Sequence, residues 1–353
     1  VSRIATLIPA YKTGYLRPLF EGLRHQKFKD FRIILSDDSP DATITRALRE
    51  GRFDDVIAGL HLSVVRGPCS GLQNHRHVLQ TWHRGTPLVH MLMDDDVIDP
   101  DFYRCHVALH DAATPLAASV SLRRLIRSSG EPMGMLPLPD FITAASGESV
   151  LIDAATLVRS TVLPSQNWLG ELSNMVLTAE AACRFPSPPA TGPSYFGLPD
   201  IGLLLDAKDI GPIAVIRRPL GSFRQHPDQS TGNVNSLSLK VAHLAWVSFA
   251  LRARQERHLD DDETRSAIAL AVRRCLGVYG ADATLRPFYE LVRDHLMDLD
   301  ALEAAFGGAW GTLLDANADT RRADWGVCTE APAPAVPLPH AEASPRRHLV
   351  AQP

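Results

Sequence analysis

Cysteine is scarce in this chain. Five occur in 353 residues (Cys69, Cys105, Cys183, Cys275 and Cys328), an odd number, scattered, and never in Cys-x-x-Cys spacing. That excludes a disulfide framework and a zinc ribbon and suits a reducing cytoplasm. No apolar run approaches the ~20 residues that a membrane-spanning helix needs. The opening Val1-Ser2-Arg3-Ile4 runs into a strand pattern, not a secretory leader. The expected location is therefore cytoplasmic, with peripheral contact at the inner face of a membrane as the one membrane association left open. A strong excess of charge is also missing: the net value is −4, no electrostatic footprint for nucleic acid. An anionic ligand must then be held by local charge or by a metal. Ser, Cys and His form neither a nucleophile elbow nor a Cys-His signature, and no internal repeat is visible.

What is present is enough apolar material, 45% of residues, for one large domain with an appendage or for two domains. Residues 3–8, 31–35 (FRIIL), 62–65 and 87–93 (PLVHMLM) read as strands. Between them, Leu16, Leu19, Phe20 and Leu23 follow helical spacing, and 43–49 and 71–82 read as helices. Such alternation predicts a mainly parallel α/β sheet, with polar residues gathered at the C-terminal strand ends, where open sheets bind ligands. Further on, 117–127 and 213–217 read as strands and 148–162 as a helix. After Asn235 apolar residues fall at helical spacing, as in Leu302, Phe306, Trp310 and Leu313. The stretch 237–251 is apolar nearly all round, which favours packing on the main domain over lying on an anionic membrane surface.

The fourth strand runs into Asp94-Asp95-Asp96. Successive carboxylates raise one another's pKa and repel. A cation removes that penalty, and Mg²⁺ or Mn²⁺ prefers oxygen ligands and shares them with phosphates. The trio thus reads as a site for a metal-bound diphosphate. The plain alternative is a cap for a helix begun at Pro100, since Asp is favoured in a first turn, yet a cap seldom needs three acids in a row.

Five segments, in order, resemble the bacterial family-2 glycosyltransferases. Leu7-Ile8-Pro9-Ala10-Tyr11 is similar to that family's strand ending in Pro-x-Tyr/Phe, and Leu35-Ser36-Asp37-Asp38-Ser39 to its Asp-Asp-x-Ser end. Asp94-Asp95-Asp96, ahead of Asp99-Pro100-Asp101-Phe102, resembles its Asp-x-Asp metal motif. Asn167-Trp168-Leu169-Gly170-Glu171 resembles its Trp-Ile-Gly-Glu-Pro segment, with Leu172 where Pro is usual. Finally, Ser222-Phe223-Arg224-Gln225-His226-Pro227-Asp228-Gln229-Ser230 resembles its Phe-Arg-x-His-Pro-x-Gln-x-Ser ending. The resemblance covers residues 1–235.

The resemblance implies a GT-A fold over 1–235; helical spacing and composition add a helical C-terminal region over 236–329 and a Pro/Ala-rich disordered tail over 330–353. It also implies metal-dependent, inverting transfer from a nucleotide sugar, expected to be a UDP-sugar, to a hydroxyl of a glycan or lipid-linked acceptor, as in bacterial surface polysaccharide synthesis. Pro9, Ala10 and Tyr11 would border the nucleobase, Tyr11 stacking on it, and Asp38 would accept the uracil N3 proton. Asn74 would touch the nucleotide or only order its loop. Asp94 and Asp95 would hold the diphosphate, and Asp94, Asp96 and His226 the Mn²⁺ or Mg²⁺. Arg224 would clamp phosphate, with Arg66 and Arg76 in place of an Arg the family carries in a loop. Asp200 is the expected general base and Glu171 the second candidate, or an acceptor-binding carboxylate. Against a sugar-phosphate nucleotidyltransferase stands the single glycine of Ala10-Tyr11-Lys12-Thr13-Gly14. A non-catalytic relative that binds a nucleotide sugar or glycan is the remaining alternative. His106 and His110, spaced i,i+4 without an intervening Glu, read as surface residues.

Overall fold

The computed structural model describes residues 2–69, 71–112, 114–185, 198–227, 229, 235–316 and 336–337. Among the described residues eleven strands form one sheet: β1 Ile4–Ala10, β2 Phe31–Asp37, β3 Leu62–Arg66, β4 Leu88–Met91, β5 Val97–Ile98, β6 Ala118–Arg127, β7 Pro132–Gly134, β8 Ser149–Ile152, β9 Met175–Thr178, β10 Ile213–Gln225 and β11 Val336–Pro337. Their order is β11-β3-β2-β1-β4-β9-β6-β10-β5, with β7 on β6 and β8 on β10. The longest ladders, β1–β2 and β6–β10, are parallel, as are β2–β3 and β1–β4. β9 runs antiparallel to both its neighbours. Every residue of β1 is buried, because helices cover both faces of a central parallel strand.

Helices Leu16–Arg24, Thr43–Arg49 and Gly71–Trp82 link the first four strands. Leu16, Leu19, Phe20 and Leu23 are all buried, so the helical spacing places one stripe against the sheet. Register then assembles the site. Ala10 pairs with Asp37 and Leu7 with Met91, so the chain leaves β1, β2 and β4 at one edge, carrying Tyr11, Asp38 and the acid trio.

Two expectations differ from the structure. Residues 148–162 are not one helix: β8 pairs antiparallel with β10, and the helix Ala154–Thr161 starts only after Asp153, whose carboxylate accepts from Thr156 N at 2.8 Å. That cap separates strand from helix. The strand over 213–217 continues to Gln225, because β10 passes Pro219 on a register shift. A bulge accommodates a proline that has no N–H to give the ladder. The same extension pairs Ser222 with Val97 and carries Arg224 and His226 to the acid trio.

The apolar core lies on both sides of the sheet. One part joins β1, β4 and β6 to the C-terminal helices Leu237–Gln255, Asp261–Tyr279, Arg286–His295 and Leu299–Ala316. Val241, Leu244, Val247, Phe249 and Leu251 are buried, so the apolar stretch 237–251 packs inside the protein. At the far end, β11 pairs antiparallel with the edge strand β3. Residues 330–335 and 338–353 of the tail lie outside the described residues, as do Gly197, Asp228 and Ser230.

Candidate functional site

The acid trio does not cap a helix. The following helix spans Phe102–His110 behind Asp101 and has no side-chain cap. Asp94 Oδ2 instead accepts two backbone N–H groups just past β1, from Tyr11 at 2.6 Å and Lys12 at 2.7 Å. Burial, then the charge of Asp95, raises the Asp94 pKa against those two bonds. Asp95 Oδ2 meets Lys12 Nζ at 3.2 Å and His226 Nε2 at 2.9 Å. Asp96 Oδ1 accepts from Arg224 N at 3.0 Å. Its Oδ2 is buried without a hydrogen bond of ordinary geometry. Burial and the charge of Asp95 push the Asp96 pKa well up, Ser173 opposing and Glu171 adding to the rise.

At the other end of the edge, Pro9 and Ala10 close β1 and are buried, and Tyr11 is 57% exposed. Asp38 N donates to Ala10 O at 2.7 Å, which sets Asp38 beside Tyr11. Its Oδ1 accepts from Cys69 N. Asp37 behaves differently: it accepts from Thr45 N at 2.8 Å and from Ser39 N at 3.0 Å and so builds the turn after β2. The two adjacent acids have separate tasks. Asn74 is buried, with Oδ1 accepting from Ser36 Oγ and Nδ2 donating to Ser36 O at 3.2 Å, so its amide orders β2. Gly67 packs where a Cβ would stand 2.6 Å from Asp38 Oδ1 and 2.9 Å from Asn74 Oδ1.

The third group is Arg123, Glu171 and Asp200. Arg123 projects from β6 and is buried; its Nε lies 2.5 Å from Glu171 Oε2 and its Nη2 3.1 Å from Oε1. Both oxygens of Glu171 are thus taken by a two-pronged ion pair. Asp200 Oδ2 accepts from Asn167 Nδ2 at 2.8 Å, and Oδ1 from Ile201 N at 2.9 Å. Burial first, then the charge of Glu171, raises the Asp200 pKa to about 6. Glu171 acts electrostatically on Asp96 as well. The acid trio and Asp200 therefore share one field.

Two arginine roles change. Arg224 Nε donates to Asp95 O at 2.8 Å, and Nη1 to Arg127 O and Ser128 O at 3.1 and 3.0 Å. With Nε and Nη1 so engaged, the guanidinium ties β10 to the acid loop and cannot also give phosphate a two-pronged clamp. Arg66 Nη1 donates to Asp37 O and Ser39 O, each at 2.7 Å, bracing the turn after β2. Arg76 is half-buried on the helix Gly71–Trp82, and burial lowers its pKa. His106 is fully buried, not on the surface: Nδ1 is 2.7 Å from Ser119 Oγ, which His110 Nε2 also approaches at 3.0 Å. The i,i+4 spacing serves a core hydrogen-bond network in place of a metal.

Among the described residues, no three His, Cys, Asp or Glu side chains are arranged to hold a metal ion. The donor chemistry nevertheless suits a hard divalent ion: a carboxylate and an imidazole converge at Asp95 and His226, beside the unbonded oxygen of Asp96. Sequence reasoning passed over four participants, namely Lys12, Tyr15, Arg123 and Ser173. Ser173 Oγ accepts from Met93 N at 3.0 Å, just before the trio. Tyr15 stacks near His226 at 4.9 Å, with the Arg224 guanidinium 4.8 Å over its ring. Only Arg123 left a signal: it stands next to Arg124 in a strand, where successive side chains face opposite sides, so one of the two charges must turn inward and needs a partner.

A scan against protein-family models returns no match, and no curated protein matches the sequence. Among solved structures the chain is similar to S. aureus TarS 1-349 in complex with UDP-GlcNAc, with a TM-score of 0.52 and 12% identity over 90% of this chain and 92% of that one. It is also similar to S. aureus TarS 1-349 in complex with UDP, at a TM-score of 0.52 and 13% identity over 90% and 91%. Identity at this level speaks for the fold. The curled α/β sheet and the helical C-terminal part together give this chain a GT-A fold.

Proposed function

We propose that this chain is an inverting glycosyltransferase of family 2, moving a sugar from a UDP-sugar to a hydroxyl of a glycan or lipid-linked acceptor in bacterial surface polysaccharide synthesis. One observation carries the reading: Tyr11, Asp38 and Asp94–Asp96 meet at a single sheet edge, tied by Asp38 N to Ala10 O and by Tyr11 N to Asp94. A nucleoside diphosphate needs that set, an aromatic face, an acceptor for a base N–H and a cation-binding acidic end. The UDP and UDP-GlcNAc held by the TarS structures support the choice of donor.

Tyr11 presents its ring to the base, and Asp38, backed by Gly67, accepts the uracil N3 proton. Asp94, Asp95, Asp96 and His226 face the diphosphate. Bound there, Mn²⁺ or Mg²⁺ supplies the charge that neutralises the departing nucleotide. Asp200, ionised at neutral pH with a pKa of about 6, takes the acceptor hydroxyl proton. The acceptor oxygen bonds to C1 on the face opposite the nucleotide as the C1–O bond to phosphate breaks, and the anomeric centre inverts. A base poised near the working pH contributes roughly 10²- to 10⁴-fold. Glu171, spent on Arg123, sets the field around Asp200 and does not itself take the proton.

The test is a screen of UDP- and GDP-sugars for Mn²⁺-dependent hydrolysis in the absence of acceptor. Release of UDP from one donor, lost in Tyr11→Ala, is the expected result. Binding of a nucleotide sugar with no turnover by any acceptor or water would place the chain among non-catalytic relatives.

A further inference from the structure

Lys12 stands just past β1, and its backbone N–H is fixed at 2.7 Å from Asp94 Oδ2. From that anchor the side chain crosses the sheet edge. Nζ reaches 3.2 Å from Asp95 Oδ2 and 3.3 Å from His226 Nε2, and those two atoms are 2.9 Å apart. The three polar atoms form a closed triangle of carboxylate, imidazole and ammonium. The Lys12 and Asp95 side chains are only 25% and 14% exposed, and His226 is buried. The His226 ring is held by Tyr15, itself under Arg224, so the triangle has rigid walls on the histidine side. Asp95 and His226 are also the donors that a divalent ion would use, and a dication and an ammonium at such separations repel strongly. They cannot share the seat.

We propose that Lys12 is the resident cation of this site. Its ammonium occupies the seat between Asp95 and His226, a divalent ion enters only by displacing it, and the metal-free protein still offers positive charge to a nucleoside diphosphate. A lysine suits this use, because its flexible four-carbon stem lets a compact charge swing between partners, where a planar guanidinium would be held by its fork. The clause on the diphosphate rests on the donor reading above; the competition for the seat does not.

The experiment uses the full chain and three forms, wild type, Lys12→Met and Lys12→Arg. Free Mn²⁺ is followed by electron paramagnetic resonance without nucleotide. Lys12→Met, which keeps the stem and the backbone N–H to Asp94, should bind Mn²⁺ at least tenfold more tightly, whereas Lys12→Arg should bind as weakly as wild type. Equal or weaker Mn²⁺ binding in Lys12→Met overturns the proposal. Calorimetry of UDP in EDTA is the second arm. Wild type should bind UDP, Lys12→Met at least tenfold more weakly, and Mn²⁺ should restore the variant. Loss of all wild-type UDP binding in EDTA, with binding intact in Mn²⁺, overturns the metal-free role. If UDP binds no form under any condition while Mn²⁺ still tightens in Lys12→Met, the donor reading fails and the competition stands.

Discussion

Replacing Asp200 with Asn should make the protein more stable and nearly inactive at once. The folded carboxyl has a pKa of about 6 against an ordinary value of 3.8, raised by burial and by the charge of Glu171. At pH 7 the ionised form is thus disfavoured in the fold by about 3 kcal/mol, at 1.36 kcal/mol per pKa unit. Asn removes that charge but cannot satisfy both neighbours, since Asn167 Nδ2 and Ile201 N are both donors and Asn has one acceptor oxygen. A lost hydrogen bond takes back roughly 1 kcal/mol, leaving a net gain of about 1–3 kcal/mol. The sign with pH follows from linkage. A carboxyl raised in the fold costs nothing below pH 3.8, where both states are protonated. The cost builds between pH 3.8 and about 6 and is complete above that. The advantage of Asp200→Asn should therefore be full at pH 7 and fade toward pH 4. Urea unfolding of both proteins at pH 7.0, 5.5 and 4.5 reads the stability, and transfer at saturating UDP-sugar reads the chemistry, where a fall of roughly 10²-fold or more is expected with UDP affinity kept. A stability difference that stays flat across this range, or near-normal transfer by Asp200→Asn with loss in Glu171→Gln, would refute the assignment.

Other expectations are as specific. Gly170 has φ +106, and a Cβ there would stand 2.6 Å from Arg123 Nη1 and from Asn174 Oδ1, so Gly170→Ala should lower unfolding stability by about 2–5 kcal/mol from backbone strain and overpacking together. The buried His90 and the half-buried His110 are held neutral, each with its pKa depressed to about 4 by burial. Their stabilising contribution is complete above the ordinary 6.5 and lost as pH falls toward 4, so His90→Gln should flatten the acid limb of the stability curve measured by urea unfolding. Asp96→Ala should abolish Mn²⁺-dependent UDP binding in calorimetry while circular dichroism stays native, because deleting a buried acid relieves repulsion with Asp95; unchanged affinity would remove Asp96 from the donor site.

The alternation of apolar strands and amphipathic helices was legible from residue spacing alone. Helices Thr43–Arg49 and Gly71–Trp82 lie where the spacing puts them, because local period and chain punctuation decide such elements. Residue order also carried the ends of β1, β2 and β4, since a polar motif after a buried strand must emerge at the sheet edge. Where the chain is locally ambiguous it misled: the strand read over 213–217 continues past Pro219 on a bulge, and residues 148–162 hid a strand that only pairing with β10 selects. Side-chain partners were beyond its reach. Arg224 could have gripped phosphate, yet it binds the carbonyls of Asp95, Arg127 and Ser128. Glu171 and Asp200 are both simply carboxylates in the sequence; the ion pair with Arg123 engages the first, while burial and the charge of Glu171 raise the second to about 6. These distinctions depend on contacts between residues tens of positions apart. Periodicity records which face is buried, whereas charge pairing and burial of single groups exist only once distant segments have been brought together.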